Sequence, residues 1–156
     1  MRGRAIHKAF RLRADGCDAE AVFAVVADVE RYPEFLPGIV SARIITREDG
    51  RWLVDNDFAI GPARFRFRSV AEFEPPQALT IRSNDRPWRR FLILWRVRDD
   101  ENGAWLSCEA ALEFRSRALA ALAAFAADEI EDRVRAAFAA RLRALPFSAR
   151  AGARHD

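Results

Sequence analysis

Hydrophobic and polar residues alternate most clearly between positions 63 and 73. Ala63, Phe65, Phe67, Ala71 and Phe73 fall on one side of an extended chain, and Arg64, Arg66, Arg68 and Glu72 on the other. A period of two marks a β-strand with one buried face. The same period predicts strands over residues 4–13, where Ile6, Phe10 and Leu12 share a face, over 40–47, and over 51–60, where Trp52, Val54 and Phe58 do. Further strands are expected at 78–84, 89–99 and 104–115. Glu48-Asp49-Gly50, Gly61-Pro62, Pro75-Pro76 and Asn102-Gly103 punctuate them, the Asn-Gly pair being a strong hairpin signal.

Two stretches follow the helical period instead. Asp18 is a candidate N-cap for a helix over 19–29, whose Val22, Val26 and Val29 are spaced by four and three. Pro33 and Pro37 bracket a short helical turn. Residues 116–145 make the last helix, with Leu122, Ile130, Val134, Phe138 and Leu142 on one stripe. At the α-helical rise it is about 45 Å long, and Pro146 stops it.

This order of elements predicts an α+β protein: a seven-stranded antiparallel sheet with one long helix. A flat sheet of that width would leave two liable edges, so the sheet must curl. The helix then covers the concave side without filling it, and a mostly apolar cavity is expected between them. The chain reads as a single domain over 1–146 with a disordered tail over 147–156.

Composition narrows the chemistry. The chain has 156 residues, 51% hydrophobic and 31% charged, which excludes collagen-like and low-complexity classes. No apolar run reaches the roughly 18–20 residues of a membrane span. The opening Met-Arg-Gly-Arg-Ala-Ile-His-Lys lacks the apolar core of a signal peptide, so a cytoplasmic location is expected. Cys17 and Cys108 cannot build a disulfide framework or a four-thiolate zinc site and read as reduced thiols. His7 and His155 are the only histidines, which leaves a serine triad almost without material, and no phosphate loop or metal-ligand spacing occurs. Asp128, Glu129, Glu131 and Asp132, followed by Arg133 and Arg135, read as a solvated helix face.

The net charge is only +3, and Lys8 is the only lysine. The row Arg64, Arg66, Arg68 reads first as the wet face of a strand paired with acids across the sheet, and second as a phosphate or RNA contact. Twelve phenylalanines against one tyrosine suit an apolar lining better than a base-stacking platform. Phe58, Phe65, Phe67, Phe91, Trp95 and Phe114 stand on alternating strand positions, as either packed core or pocket wall.

The segment Val26-Ala27-Asp28-Val29-Glu30-Arg31-Tyr32-Pro33-Glu34-Phe35-Leu36-Pro37 resembles the signature of the coenzyme Q-binding, START-like proteins. That group lies within the polyketide cyclase/dehydrase and lipid-transport superfamily and includes the bacterial ribosome-association toxin type. Looser likenesses follow at Phe65 to Ser69, at Pro87-Trp88 with Phe91 and Trp95, at Leu112 to Leu119 and at Ala137 to Arg141. Arg86 stands where the family has a glycine, and Gly38 where it usually has a tryptophan, which would widen the mouth of a cavity. The resemblance covers roughly residues 4–145 and implies the helix-grip (START/Bet v 1-like) fold.

Three functions follow as expectations. The first is binding of a hydrophobic ligand, ubiquinone or a similar isoprenoid or lipid, as a quinone chaperone or carrier for respiration. Phe58, Phe65, Phe67, Phe91, Trp95, Phe125 and Ile130 would form walls, Tyr32, Phe35, Leu36 and Pro37 the lid and entrance, and Trp88 would flank it. The Tyr32 hydroxyl would meet a polar head group. No cofactor is expected beyond the bound quinone or lipid itself. A transient membrane surface or a respiratory complex would be the partner, with peripheral location at the inner membrane. The second is a polyketide cyclase or aromatase, with Tyr32, Asn56 and Arg82 as candidate acid–base groups. The third, ranked last, is a ribosome-associating protein acting through Arg64, Arg66 and Arg68.

Overall fold

The computed structural model describes residues 5–145. Its elements are β1 (Ala5–Asp15), α1 (Ala19–Ala27), a 3₁₀ turn (Val29–Arg31), α2 (Tyr32–Phe35), β2 (Ile39–Glu48), β3 (Arg51–Ile60), β4 (Ala63–Glu74), β5 (Ala78–Ser83), β6 (Trp88–Asp100), β7 (Gly103–Phe114) and α3 (Arg117–Arg143). All the strands expected from the period of two are present. Arg4, Pro146, the tail 147–156 and His155 lie outside the described residues. The helix expected over 19–29 ends at Ala27, and the chain turns through Asp28 before entering the 3₁₀ turn.

The strands form one sheet in the order β1-β7-β6-β5-β4-β3-β2. Each pair is antiparallel. From β2 onward the chain meanders from one edge to the other, while β1 pairs with the last strand. The connection from β1 to β2 must therefore cross the whole sheet, and α1, the 3₁₀ turn and α2 make that crossing at one end. Register shifts between Ile39 and Ser41 and between Ile44 and Thr46 mark irregularities in the β2–β3 pairing, which bend a strand and add twist. The curved sheet grips α3, in the helix-grip arrangement.

Helix ends are set by local chemistry. Asp18 accepts a hydrogen bond from Ala21 N at 2.9 Å and caps α1, and Ser116 accepts one from Leu119 N at 3.2 Å and caps α3. Asp99 Oδ1 accepts from Ala19 N at 2.8 Å, which ties the start of α1 to β6.

The hairpin between β6 and β7 corrects one expectation. Asp100 pairs with Gly103, so the turn residues are Glu101 and Asn102, and no non-glycine residue among the described ones has positive φ. A turn with Asn102 and Gly103 at its centre would need φ > 0 at both. Gly103 instead opens β7, where a Cβ would collide with the carbonyl oxygen of Ala14. Here the glycine is required by close approach of two backbones.

Candidate ligand-binding cavity

The inner faces of the strands and the buried stripe of α3 enclose a cavity of about 250 Å³. Its position follows from side-chain size along one helix. Toward its C-terminus α3 inserts Phe138 and Leu142, which are 0% and 4% exposed. Toward its N-terminus the same stripe carries Ala120 and Ala123, and Ala123, Ala127, Ile130 and Val134 face the cavity. Alanines leave the sheet's own side chains without a partner across the gap.

Phe138 stands 4.6 Å from the Trp95 ring, 5.1 Å from Phe35 and 6.0 Å from Tyr32, centroid to centroid. These rings make a solid plug at one end. At the other end lies a second aromatic cluster. Trp88 stacks on Phe114 at 4.2 Å and meets Phe91 at 4.8 Å, and Phe58 meets Phe67 edge-on at 4.8 Å. The cavity opens between the two.

Of the residues expected to form the site, Tyr32, Leu36, Pro37, Phe58, Trp88, Phe91, Trp95 and Ile130 line the cavity. Phe65 and Phe67 do not; they stand behind the wall in the second cluster, Phe65 at 5.6 Å from Trp88 and 5.5 Å from Phe114. Phe35 is half-buried against Tyr32 and Phe138, with the Arg141 guanidinium 4.7 Å over its ring. Phe125 is a plain correction, since it is 90% exposed. It lies two residues beyond Ala123, and at 3.6 residues per turn that places it about 200° around the helix, away from the sheet.

Gly38 stands in an exposed turn at the edge of the cavity. Its φ is +83°, a conformation that strains any other residue, and a Cβ there would come within 3.0 Å of Ala59 O. Gly38 O accepts from Ala59 N at 2.8 Å, and Gly38 borders the cavity with Leu36 and Pro37. A tryptophan at this position is incompatible with this backbone as it stands.

The polar groups on the walls are few, and most are already engaged. Tyr32 is 6% exposed and donates its hydroxyl to Val26 O, so the expected head-group donor is spent inside the protein. Burial pushes the Tyr32 phenol far above its usual range. The Cys108 thiol is pushed up to about 12, by burial first and by the nearby Glu109 and Glu131 charges second, and it stays protonated at neutral pH. The indole N–H groups of Trp88 and Trp95 are buried without a partner among the described residues.

Lys8 lies on the inward face of β1 between Ile6 and Phe10, borders the cavity and pairs with Asp128 and, at 3.5 Å, with Glu131. The bond to Asp128 raises the Lys8 pKa and lowers that of Asp128. Glu131 also approaches Arg135 at 3.5 Å. Asp128 is a solvated side chain as expected, but the Glu131 side chain is only 16% exposed and forms part of the wall. The strand alternation of residues 4–13 already put Lys8 in phase with Ile6 and Phe10. Its acidic partners, more than a hundred residues away in sequence, were not legible.

Asn56 and Ser69 complete the polar lining. Asn56 Nδ2 donates to Val54 O and Phe67 O, both at 3.3 Å, and to Ser69 Oγ at 3.0 Å. Arg82 faces outward and pairs with Glu72 at 3.5 Å, so it is not a cavity group. The arginine row behaves as a wet strand face. Arg64 grips Asp57 through Nε at 3.1 Å and Nη2 at 2.8 Å, Arg66 approaches the same carboxylate at 3.6 Å, and Arg68 pairs with Asp55 at 3.0 Å.

A family model described as polyketide cyclase / dehydrase and lipid transport matches residues 16–139. Among solved structures the chain is similar to the Zhui aromatase/cyclase from Streptomyces sp. R1128, with a TM-score of 0.76 at 13% identity over 90% of this chain and 94% of that one. It is similar to a START superfamily protein from Mycobacterium smegmatis, with a TM-score of 0.70 at 19% identity over 92% and 100%. It also resembles a STAR-related lipid transfer protein from Xanthomonas axonopodis, with a TM-score of 0.66 at 16% identity over 88% and 85%. At such identities these likenesses establish the fold. No curated protein matches. No helix among the described residues is long and apolar enough to cross a membrane.

Proposed function

The chain belongs to the polyketide cyclase / dehydrase and lipid transport family, and from that premise we propose that it binds a small hydrophobic molecule between sheet and helix, with ubiquinone or a related isoprenoid quinone as the ligand. The observation that carries this reading is the cavity of about 250 Å³ with mostly apolar walls. Excluding water from such walls favours binding by roughly 25 cal/mol per Å² of apolar surface covered, with no catalytic group required. The volume lies just under the roughly 300–1,000 Å³ of ordinary ligand pockets. It suits a ring-sized head and the start of a chain, with the rest of a long isoprenoid tail leaving through the mouth beside Gly38. The role is that of a carrier that delivers quinone to respiratory enzymes at a membrane surface.

Organic extraction of the purified protein followed by mass spectrometry tests the occupant directly. Titration with a short-chain ubiquinone should quench tryptophan fluorescence through Trp88 and Trp95, which border the cavity. The quench should vanish in the Trp88→Phe/Trp95→Phe variant, although Trp52 and Trp105 remain. Protein that is empty on extraction and also takes up no quinone would sink the proposal.

The family and its aromatase/cyclase relative favour one alternative, cyclisation of a poly-β-keto chain in the same space. Among the described residues bordering the cavity the only carboxylate is Glu131, and it is held by Lys8 and Arg135. With Tyr32 and Cys108 both fixed in their protonated forms, proton transfer near neutral pH has little to work with, and binding without turnover is the better reading. Incubation with a polyketide mimic at high protein load distinguishes the two. Ribosome association ranks last because the acids opposite Arg64 and Arg68 neutralise the row it would use.

A further inference from the structure

Besides the enclosed indole N–H groups of Trp88 and Trp95, one pair of wall residues keeps unused hydrogen-bonding capacity. Asn56 on β3 and Ser69 on β4 both border the cavity, and Ser69 is 2% exposed. Two backbone carbonyls, Val54 O and Phe67 O, lie within 3.3 Å of the Asn56 amide nitrogen. Carbonyl oxygens only accept, so they fix which end of the amide is NH₂. Ser69 Oγ then accepts from that nitrogen at 3.0 Å. Two functions remain unused among the described residues: the Ser69 hydroxyl hydrogen, a donor, and Asn56 Oδ1, an acceptor.

The other polar wall groups cannot compete for a ligand. Tyr32 gives its proton to Val26 O. Lys8 is held by Asp128 and Glu131. The tryptophan N–H groups are enclosed by protein atoms. Ser69 is buried and Asn56 half-buried, and a polar group shielded from water without a partner costs free energy that a suitable guest recovers. A hydroxyl matches both at once, accepting from Ser69 and donating to Asn56. A ketone or quinone oxygen can only accept, and a hydrocarbon can do neither.

We propose that Asn56 and Ser69 form the head-group seat of the cavity and select apolar ligands bearing a neutral hydroxyl, an alcohol, phenol or hydroquinone, over the matching ketone or quinone and over the bare hydrocarbon. This rests on the reading of the cavity as a binding site for a hydrophobic molecule. It adds a direction to that reading: of a quinone redox pair, the reduced form is held more tightly.

Three rigid probes of nearly equal shape test it: 9-fluorenol, 9-fluorenone and fluorene, titrated against the wild-type protein by quenching of Trp88 and Trp95. Each extra hydrogen bond should tighten binding by between about twofold and tenfold, in the order fluorenol, fluorenone, fluorene. Ser69→Ala leaves Asn56 its two carbonyl partners and should erase the advantage of fluorenone over fluorene. Asn56→Leu should erase the advantage of fluorenol over fluorenone. In both variants fluorene should bind at least as well as to the wild type, which also shows that the fold survives. Equal affinity for all three probes in the wild type, or an order unchanged by either substitution, overturns the seat while leaving the cavity reading intact. Failure of every probe to bind overturns both.

Discussion

The two ends of α3 meet the same sheet in opposite ways. Near its C-terminus Phe138 is fully buried, and the rings of Tyr32, Phe35 and Trp95 close around it. Near its N-terminus the helix presents Ala120, Ala123 and Ala127 to an equally aromatic stretch of sheet, and part of that space stays open. One element thus serves as core and as ceiling, according to whether a ring or a methyl group stands at each inward position. The lesson is that aromatic strand faces do not by themselves make a pocket. The residue opposite decides.

The comparison breaks most visibly at Phe138. Phe138→Ala should cost about 3–5 kcal/mol in urea unfolding, the usual range for emptying a packed phenylalanine site. Phe125→Ala, on the solvent side of the same helix, should stay within about 0.5 kcal/mol of wild type. Equal losses would mean that the buried end of the helix is not packed as described.

A smaller contrast separates filled from open space along the alanine stripe. Ala120 is 4% exposed and does not border the cavity, so Ala120→Leu should destabilise by about 1–3 kcal/mol through overpacking. Ala127→Leu grows into the open space. It should cost less than Ala120→Leu and yet abolish quinone-dependent quenching. Retained binding with full occupancy would place the ligand elsewhere.

The outer face of the sheet supplies the smallest effect and a control for the interior. Hydrogen bonding from Arg64, followed by its charge and that of Arg66, holds the Asp57 carboxyl below its usual value against the opposing cost of burial. A carboxylate whose folded pKa is depressed adds stability above the unfolded value of about 3.9 and loses it as pH falls through the folded one. Unfolding midpoints measured between neutral pH and pH 2 should therefore drop at the acid end. Asp57→Asn should flatten that drop without changing ligand affinity, because Asp57 does not border the cavity. An unchanged acid limb would remove the pair from the account.

Much of this was legible beforehand, for local reasons. Strand alternation assigned Phe58, Phe91 and Trp95 to the inner face, and the 26–37 segment pointed to Tyr32, Leu36 and Pro37. The readings that failed needed partners. Phe125 looked like a wall residue by type, although its angle around the helix excluded it. Tyr32 looked like a free hydroxyl until Val26 O took its proton. Glu131 looked solvated among its neighbours until Lys8 came across from β1.

The sequence by itself determined the order of the elements, the inward faces of β1, β3 and β4, the cap at Asp18, and part of the apolar wall, including Phe58, Phe91 and Trp95. Each of these is set by neighbours within a few positions, where backbone period and side-chain chemistry act directly. Only the tertiary structure decided that the interior is hollow beside Ala123 and Ala127 and solid around Phe138, and that Asn56 and Ser69 keep an unused donor and acceptor at the wall. Those properties are sums over residues brought together from β1 to α3. A gap, or an unpaired hydrogen bond, exists only once all the other groups have found their places.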